Sequence, residues 1–176
     1  MARLLLPQVE AIRITRLLSV SQKPNGDLQI DQPPPTKSSG LYWIYTNYPQ
    51  NELEGGQSCG DVGAIDISML ATLHQGLAHV CAIQQDGFSL VYNGVAGNKC
   101  GLRERIHQHF NGGKGTGCLS IKNSSLDDLT RWRVAYVTLE VGNQSVPDVP
   151  ASYATYAKEL ERIWRLQYGW PQLCRT

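Results

Sequence analysis

Long hydrophobic runs are missing from this sequence. No stretch approaches the roughly 20 apolar residues of a membrane helix. The opening Leu4-Leu5-Leu6 stops at Pro7, short of the apolar core of about 7–15 residues that a secretory signal needs. Cysteine is sparse as well. Its five copies, at 59, 81, 100, 118 and 174, are odd in number and contain no C-x-x-C pair, which argues against a disulfide framework and for reduced thiols. The expectation is a soluble cytoplasmic protein with no membrane partner. A phosphate-binding glycine fingerprint is also lacking. Gly112, Gly113, Gly115 and Gly117 neither follow an expected strand nor open an expected helix, so a nucleotide fold is not indicated. With 176 residues, 41% of them hydrophobic, the chain is too apolar for disorder and too short for two full domains.

An excess of charge of either sign is lacking overall: 16 Lys or Arg stand against 15 Asp or Glu, a net value of +1. Its distribution is uneven. Residues 1–98 carry five Lys or Arg against eight Asp or Glu, whereas residues 99–133 carry seven against three. The basic set is Lys99, Arg103, Arg105, Lys114, Lys122, Arg131 and Arg133. Such a stretch suits either a solvated face or contact with phosphates.

Residues 8–21 read as an amphipathic helix with Val9, Ile12, Leu17 and Leu18 on its apolar side. Asn25-Gly26 is a turn signal. Pro33-Pro34-Pro35 and the Ser/Gly-rich residues after it form a linker. Residues 1–39 are therefore expected to be an N-terminal appendage, with the core domain over 40–176. Leu41 to Tyr45 is aromatic and branched, and so a strand. An insertion over about 47–87 follows: loop over 48–64, a helix over 65–80, and a short strand over 78–83. Asp86-Gly87 is a hairpin-type turn, and Phe88 to Tyr92 is a second clear strand. A helix over 101–110, a mobile glycine-rich loop over 111–118, a third strand over 132–141 and a long helix over 151–168 complete the order. Gly169 and Pro171 end that last helix. The expected class is α/β (α+β): a small, mostly antiparallel, three-stranded central sheet flanked by helices.

Helical phase singles out residues within these elements. At about 100° per residue, Leu102, Ile106 and Phe110 share one stripe of the helix over 101–110. Arg105 and His109, four apart, lie along one edge of it and face a cleft beside the core. His107 and Glu104 point away. In the last helix Tyr153, Ala157, Leu160 and Trp164 form the apolar stripe, and Glu161 stands on its border. A carboxylate held there is a metal-ligand or acid/base candidate. The same residues also read as an ordinary structural pair and a boundary Glu. A separate set, Cys100, His107, His109 and Cys118, has the side chains that zinc accepts. Its spacing matches no common finger.

Taken in order, Gly40-Leu41-Tyr42, Tyr92-Asn93-Gly94-Val95-Ala96, Arg105-x-x-x-His109-Phe110 and Leu160-Glu161-x-x-Trp164 with Gly169-Trp170-Pro171 resemble the GIY-YIG nuclease superfamily. The likeness spans residues 40–174. Tyr42 and Tyr92 stand further apart than the family's usual spacing, which places an insertion between them and leaves Tyr45 as an alternative to Tyr42. The resemblance implies a metal-dependent, sequence-selective DNA endonuclease. Glu161 would hold one Mg²⁺ or Mn²⁺. Arg105 would stabilise the charged phosphate. Tyr42 would activate or orient the attacking water, His109 would accept or relay a proton, and Tyr92 would position water or phosphate. Gly40 and Gly94 would be backbone motif positions, and Lys99, Arg103, Lys114, Lys122, Arg131 and Arg133 would contact DNA. A restriction-type enzyme on duplex DNA would be a homodimer; a single-strand-specific one could be a monomer. The alternatives are a non-catalytic nucleic-acid-binding module of the same fold and a structural zinc protein.

Overall fold

The computed structural model describes residues 4–139 except 59, 61, 98 and 114, and residues 150–175, with side chains of the last segment from 155. Six strands form one sheet: β1 (Leu18–Gln22), β2 (Leu28–Ile30), β3 (Gly40–Thr46), β4 (Gln84–Gln85), β5 (Phe88–Ala96) and β6 (Trp132–Thr138). The order is β2-β1-β6-β3-β5-β4 and every pairing is antiparallel. Five α-helices are seen among the described residues: α1 (Leu6–Arg13), α2 (Gln50–Glu54), α3 (Ile67–His74), α4 (Gly101–Asn111) and α5 (Pro150–Tyr168). The protein is α+β, and none of these helices is long and apolar enough to cross a membrane.

The sheet therefore has six strands, not three. The three expected strands are its adjacent members β6, β3 and β5. Two of the three additions come from residues 18–30, where the Asn25-Gly26 turn joins β1 to β2 and β1 pairs along β6; the third is the short β4 at the other edge, paired with β5. The helix expected over 8–21 ends at Arg13. Beyond it, Leu18 and Val20 alternate with exposed residues, a period-2 pattern that suits a half-buried strand and not a helix. The expected helix over 65–80 contracts to α3. No strand forms over 78–83; Val80 makes only an isolated bridge to Trp170.

β3 is buried along its whole length because both of its faces are covered. Leu41, Trp43 and Tyr45 pack with Val9 of α1 and with Leu160 and Trp164 of α5. Tyr42 and Ile44 pack with Leu102, Ile106 and Phe110 of α4. Thus α4 covers one face, and α1 and α5 the other. A register shift at Ile44/Tyr45 leaves Ile44 opposite Tyr92 and Tyr45 opposite Leu90. This bulge fixes which β5 side chains meet the α4 face. Before the bulge the pairing is regular, so Tyr92, opposite Ile44, lies diagonal to Tyr42, which itself pairs with Gly94.

Candidate active site

On the α4 face, Tyr42 lies over Gly94. A Cβ at Gly94 would overlap the Tyr42 phenol oxygen, so glycine there is a requirement of space. Gly40 has a similar role at the strand's start, where a Cβ would overlap the Val137 carbonyl oxygen. With that room, the Tyr42 ring centroid sits 6.2 Å from Tyr92 and 5.4 Å from His109, and Tyr92 lies 4.4 Å from His109. Tyr45, the alternative tyrosine, points to the opposite face and takes a hydrogen bond from Arg13. Tyr42 is therefore the strand tyrosine that joins this cluster.

Arg105 and His109 reach the same phenol from successive turns of α4. His109 Nε2 is 2.8 Å from Tyr42 Oη, and the Arg105 charge acts on the same phenol and on Tyr92. The Leu119 backbone N–H donates to His109 Nδ1 at 3.2 Å. That bond leaves the ring proton on Nε2, so His109 donates to Tyr42. The Tyr42 oxygen therefore accepts from His109 and keeps its own hydroxyl proton. Arg105 also donates to Gln108 Oε1 at 2.8 Å and to Thr116 O at 3.1 Å. These bonds tie it to the glycine-rich loop and fix its planar fork.

The electrostatics follow from burial. Burial pushes Tyr42 well above the ordinary phenol value; Tyr92 adds to this and Arg105 opposes it. Tyr92 is pushed up to about 12 by burial and then Cys174, again against Arg105. Burial, and then the Arg105 charge, hold His109 well below the usual imidazole range. Both phenols and the imidazole are thus neutral around Arg105 at neutral pH. The cluster combines one fixed cation with oriented neutral donors, an arrangement that can bind and polarise a phosphate or a water.

Glu161 is not within this cluster. It lies on α5, which packs on the other face of the sheet, and its Oε1 is ion-paired with Arg165 at 2.9 Å. Its charge still acts on Tyr92, raising that phenol. Burial raises the Glu161 carboxyl, with Arg165, Arg162 and Lys158 acting against the shift. As a carboxylate Glu161 offers oxygen to a divalent ion, but Arg165 holds its Oε1 and the charges of Arg162 and Lys158 act on it too, so an ion bound here would have to displace the Arg165 pair. Mg²⁺ is often held by one or two carboxylates plus substrate phosphates. Around Glu161 stand residues that the sequence reading passes over. Arg165 donates to Asn93 Oδ1 at 2.9 Å, and the Cys174 thiol donates to the Asn93 carbonyl at 3.4 Å. The four-residue spacing of Glu161 and Arg165 on one helix was the available signal.

The basic side chains are dispersed. Arg103 donates to Pro34 O at 2.9 Å, and Lys122 to Gly26 O at 2.8 Å. Arg131 pairs with Glu52 at 2.8 Å and lies 3.7 Å from the Tyr48 ring centre. Arg133 lies 4.3 Å over Phe88. Lys99 is exposed ahead of α4, and Lys114 lies outside the described residues. The zinc set does not assemble. Both ring nitrogens of His109 are engaged, Cys100 Sγ accepts from Gln108, and Cys118 Sγ donates to Gly113 O. Among the described residues no three His, Cys, Asp or Glu come together as a metal site. The chain matches no protein-family model, no curated protein and no solved structure.

Proposed function

We propose that this protein is a metal-dependent DNA endonuclease of GIY-YIG type that hydrolyses phosphodiester bonds. One observation carries the reading. Residues from three separated motifs come together in one cluster: Tyr42 Oη has His109 Nε2 at 2.8 Å, Tyr92 lies against both rings, and the Arg105 charge acts on both phenols. Arg105 binds the scissile phosphate as its charge grows. Tyr42 orients the attacking water, Tyr92 positions it, and His109 holds the Tyr42 oxygen from below. Because the His109 lone pair accepts from Leu119, His109 serves as a holder and not as the proton acceptor. Glu161 would hold Mg²⁺ or Mn²⁺, which when bound supplies charge neutralisation at the phosphate. Lys99, Arg103, Lys122, Arg131 and Arg133 would contact the DNA backbone.

The position of Glu161 on α5, paired with Arg165, favours a second reading: a nucleic-acid-binding module of the same fold without cleavage. The two separate in one assay. Wild-type protein is incubated with Mg²⁺ and single- or double-stranded DNA of matched sequence, and cut ends are sequenced. The endonuclease reading expects defined ends that vanish with chelator. It also expects that Glu161→Ala binds but does not cut. Binding by wild type without any cut ends would support the module instead. A Glu161→Ala variant that cuts at the wild-type rate would remove Glu161 from the site.

A further inference from the structure

Beside Glu161 a groove of about 970 Å³ opens along α5, at the upper end of the size of ligand sites. Its lining includes Lys158, Arg162, Arg165, Leu166, Tyr168 and Trp170. Three cations stand there with one acid, Glu161, which pairs with Arg165; Arg162 pairs with Glu159 at 2.6 Å on the solvent side of α5, so a phosphate at Arg162 would replace that exposed carboxylate. Arg165 also lies 4.4 Å over the Trp170 ring, so its flat guanidinium extends an aromatic surface. Leu166 is 87% exposed, an apolar side chain left at the rim.

We propose that this groove binds single-stranded nucleic acid. Phosphates would meet Lys158 and Arg162 on the exposed side of α5, and unpaired bases would pack on Trp170, Tyr168 and Leu166. Cations beside stacking surfaces are what a single strand requires. A duplex hides its bases and would use the cations alone. A strand seated here passes Glu161. The inference thus deepens the endonuclease reading, and rests on it for the link to cleavage, by naming a single strand as the substrate. Binding itself is tested without cleavage.

The intrinsic fluorescence offers a direct readout. Of the four tryptophans, Trp43, Trp132 and Trp164 are fully buried, while Trp170 lines the groove. A short oligothymidylate, titrated in chelator, should quench the emission, and Trp170→Phe should remove the quench. By anisotropy the dye-labelled oligonucleotide should bind about tenfold or more tighter than a matched duplex. The double variant Lys158→Gln/Arg162→Gln, both at exposed positions, should bind about tenfold more weakly and lower the slope of log K against log salt by about 1.4. Lys23→Gln, on the distant β1–β2 turn, should bind as wild type. Equal binding of duplex, no quench, an unchanged double variant, or equal competition by polyglutamate would each overturn the proposal. Wild type that binds in this way but never cuts with Mg²⁺ would sink the endonuclease reading and leave the groove standing. Cleavage by wild type with a double variant unaltered in binding would do the reverse.

Discussion

In the proposed reaction a single phenol oxygen, that of Tyr42, is the focus, and the side chains around it make testable demands. Tyr42→Phe removes the acceptor of the buried His109 Nε2 proton and leaves that N–H unpaired. Unfolding in urea should show a loss of about 1–3 kcal/mol, along with loss of cleavage. Arg105→Ala removes the one charged donor and should lower the cleavage rate about 10²–10³-fold with the fold retained by circular dichroism. His109 gives a pH test. Its folded pKa is depressed, by burial first and then by Arg105, from an ordinary value of 6.5. Below that value the unfolded chain takes up a proton that the native ring refuses. The stabilisation is therefore fully present above pH 6.5 and is lost as pH falls below it, at up to about 1.4 kcal/mol per pH unit. His109→Gln should flatten that part of the stability–pH curve relative to wild type. Identical curves would mean that the ring is not buried as described.

At the level of elements, α4 carries the site by phase and α1 braces the opposite face. His107, half-buried on the far side of α4, should be replaceable by Ala with most cleavage retained, whereas His109→Ala should lose it. The reverse outcome would put the helix phase wrong by two residues. The brace is a buried network. Arg13 donates to Tyr45 and pairs with Glu10, and Trp164 Nε1 donates to Glu10 Oε2 at 3.0 Å. Glu10→Ala strands the buried Arg13 charge and should destabilise the protein by about 3 kcal/mol or more in urea unfolding.

These elements differ in how much the sequence revealed. The Arg105–His109 edge of α4 was legible because Leu102, Ile106 and Phe110 repeat at helical spacing, and β3 because its aromatic run is continuous. The hairpin was legible only at its Asn25-Gly26 turn. β2 has three residues and β1 five, too few for alternation to stand out, and Ile12, Leu17 and Leu18 mimic a helical stripe. The bulge at Ile44/Tyr45, which moves Tyr45 opposite Leu90, has no local signature. The pairing of Glu161 with Arg165 was visible in their spacing, but its place on the other face depends on the packing of α5.

Over the whole molecule, the sheet separates two neighbourhoods. One holds the neutral donors around Arg105; the other holds the groove with Glu161. Between them runs β5. Its partner β4 covers only Phe88 and Ser89, and the last residues of the chain take over further along, where Leu173 N donates to Val91 O at 2.8 Å. The endonuclease account requires both neighbourhoods to act on one phosphate at this strand. The most direct measurement is a time course of end-labelled DNA with Mg²⁺, comparing wild type with Tyr42→Phe of matched fold. The account predicts steady cleavage by wild type and none by the variant; no cleavage by wild type, or equal rates for the two, would contradict it.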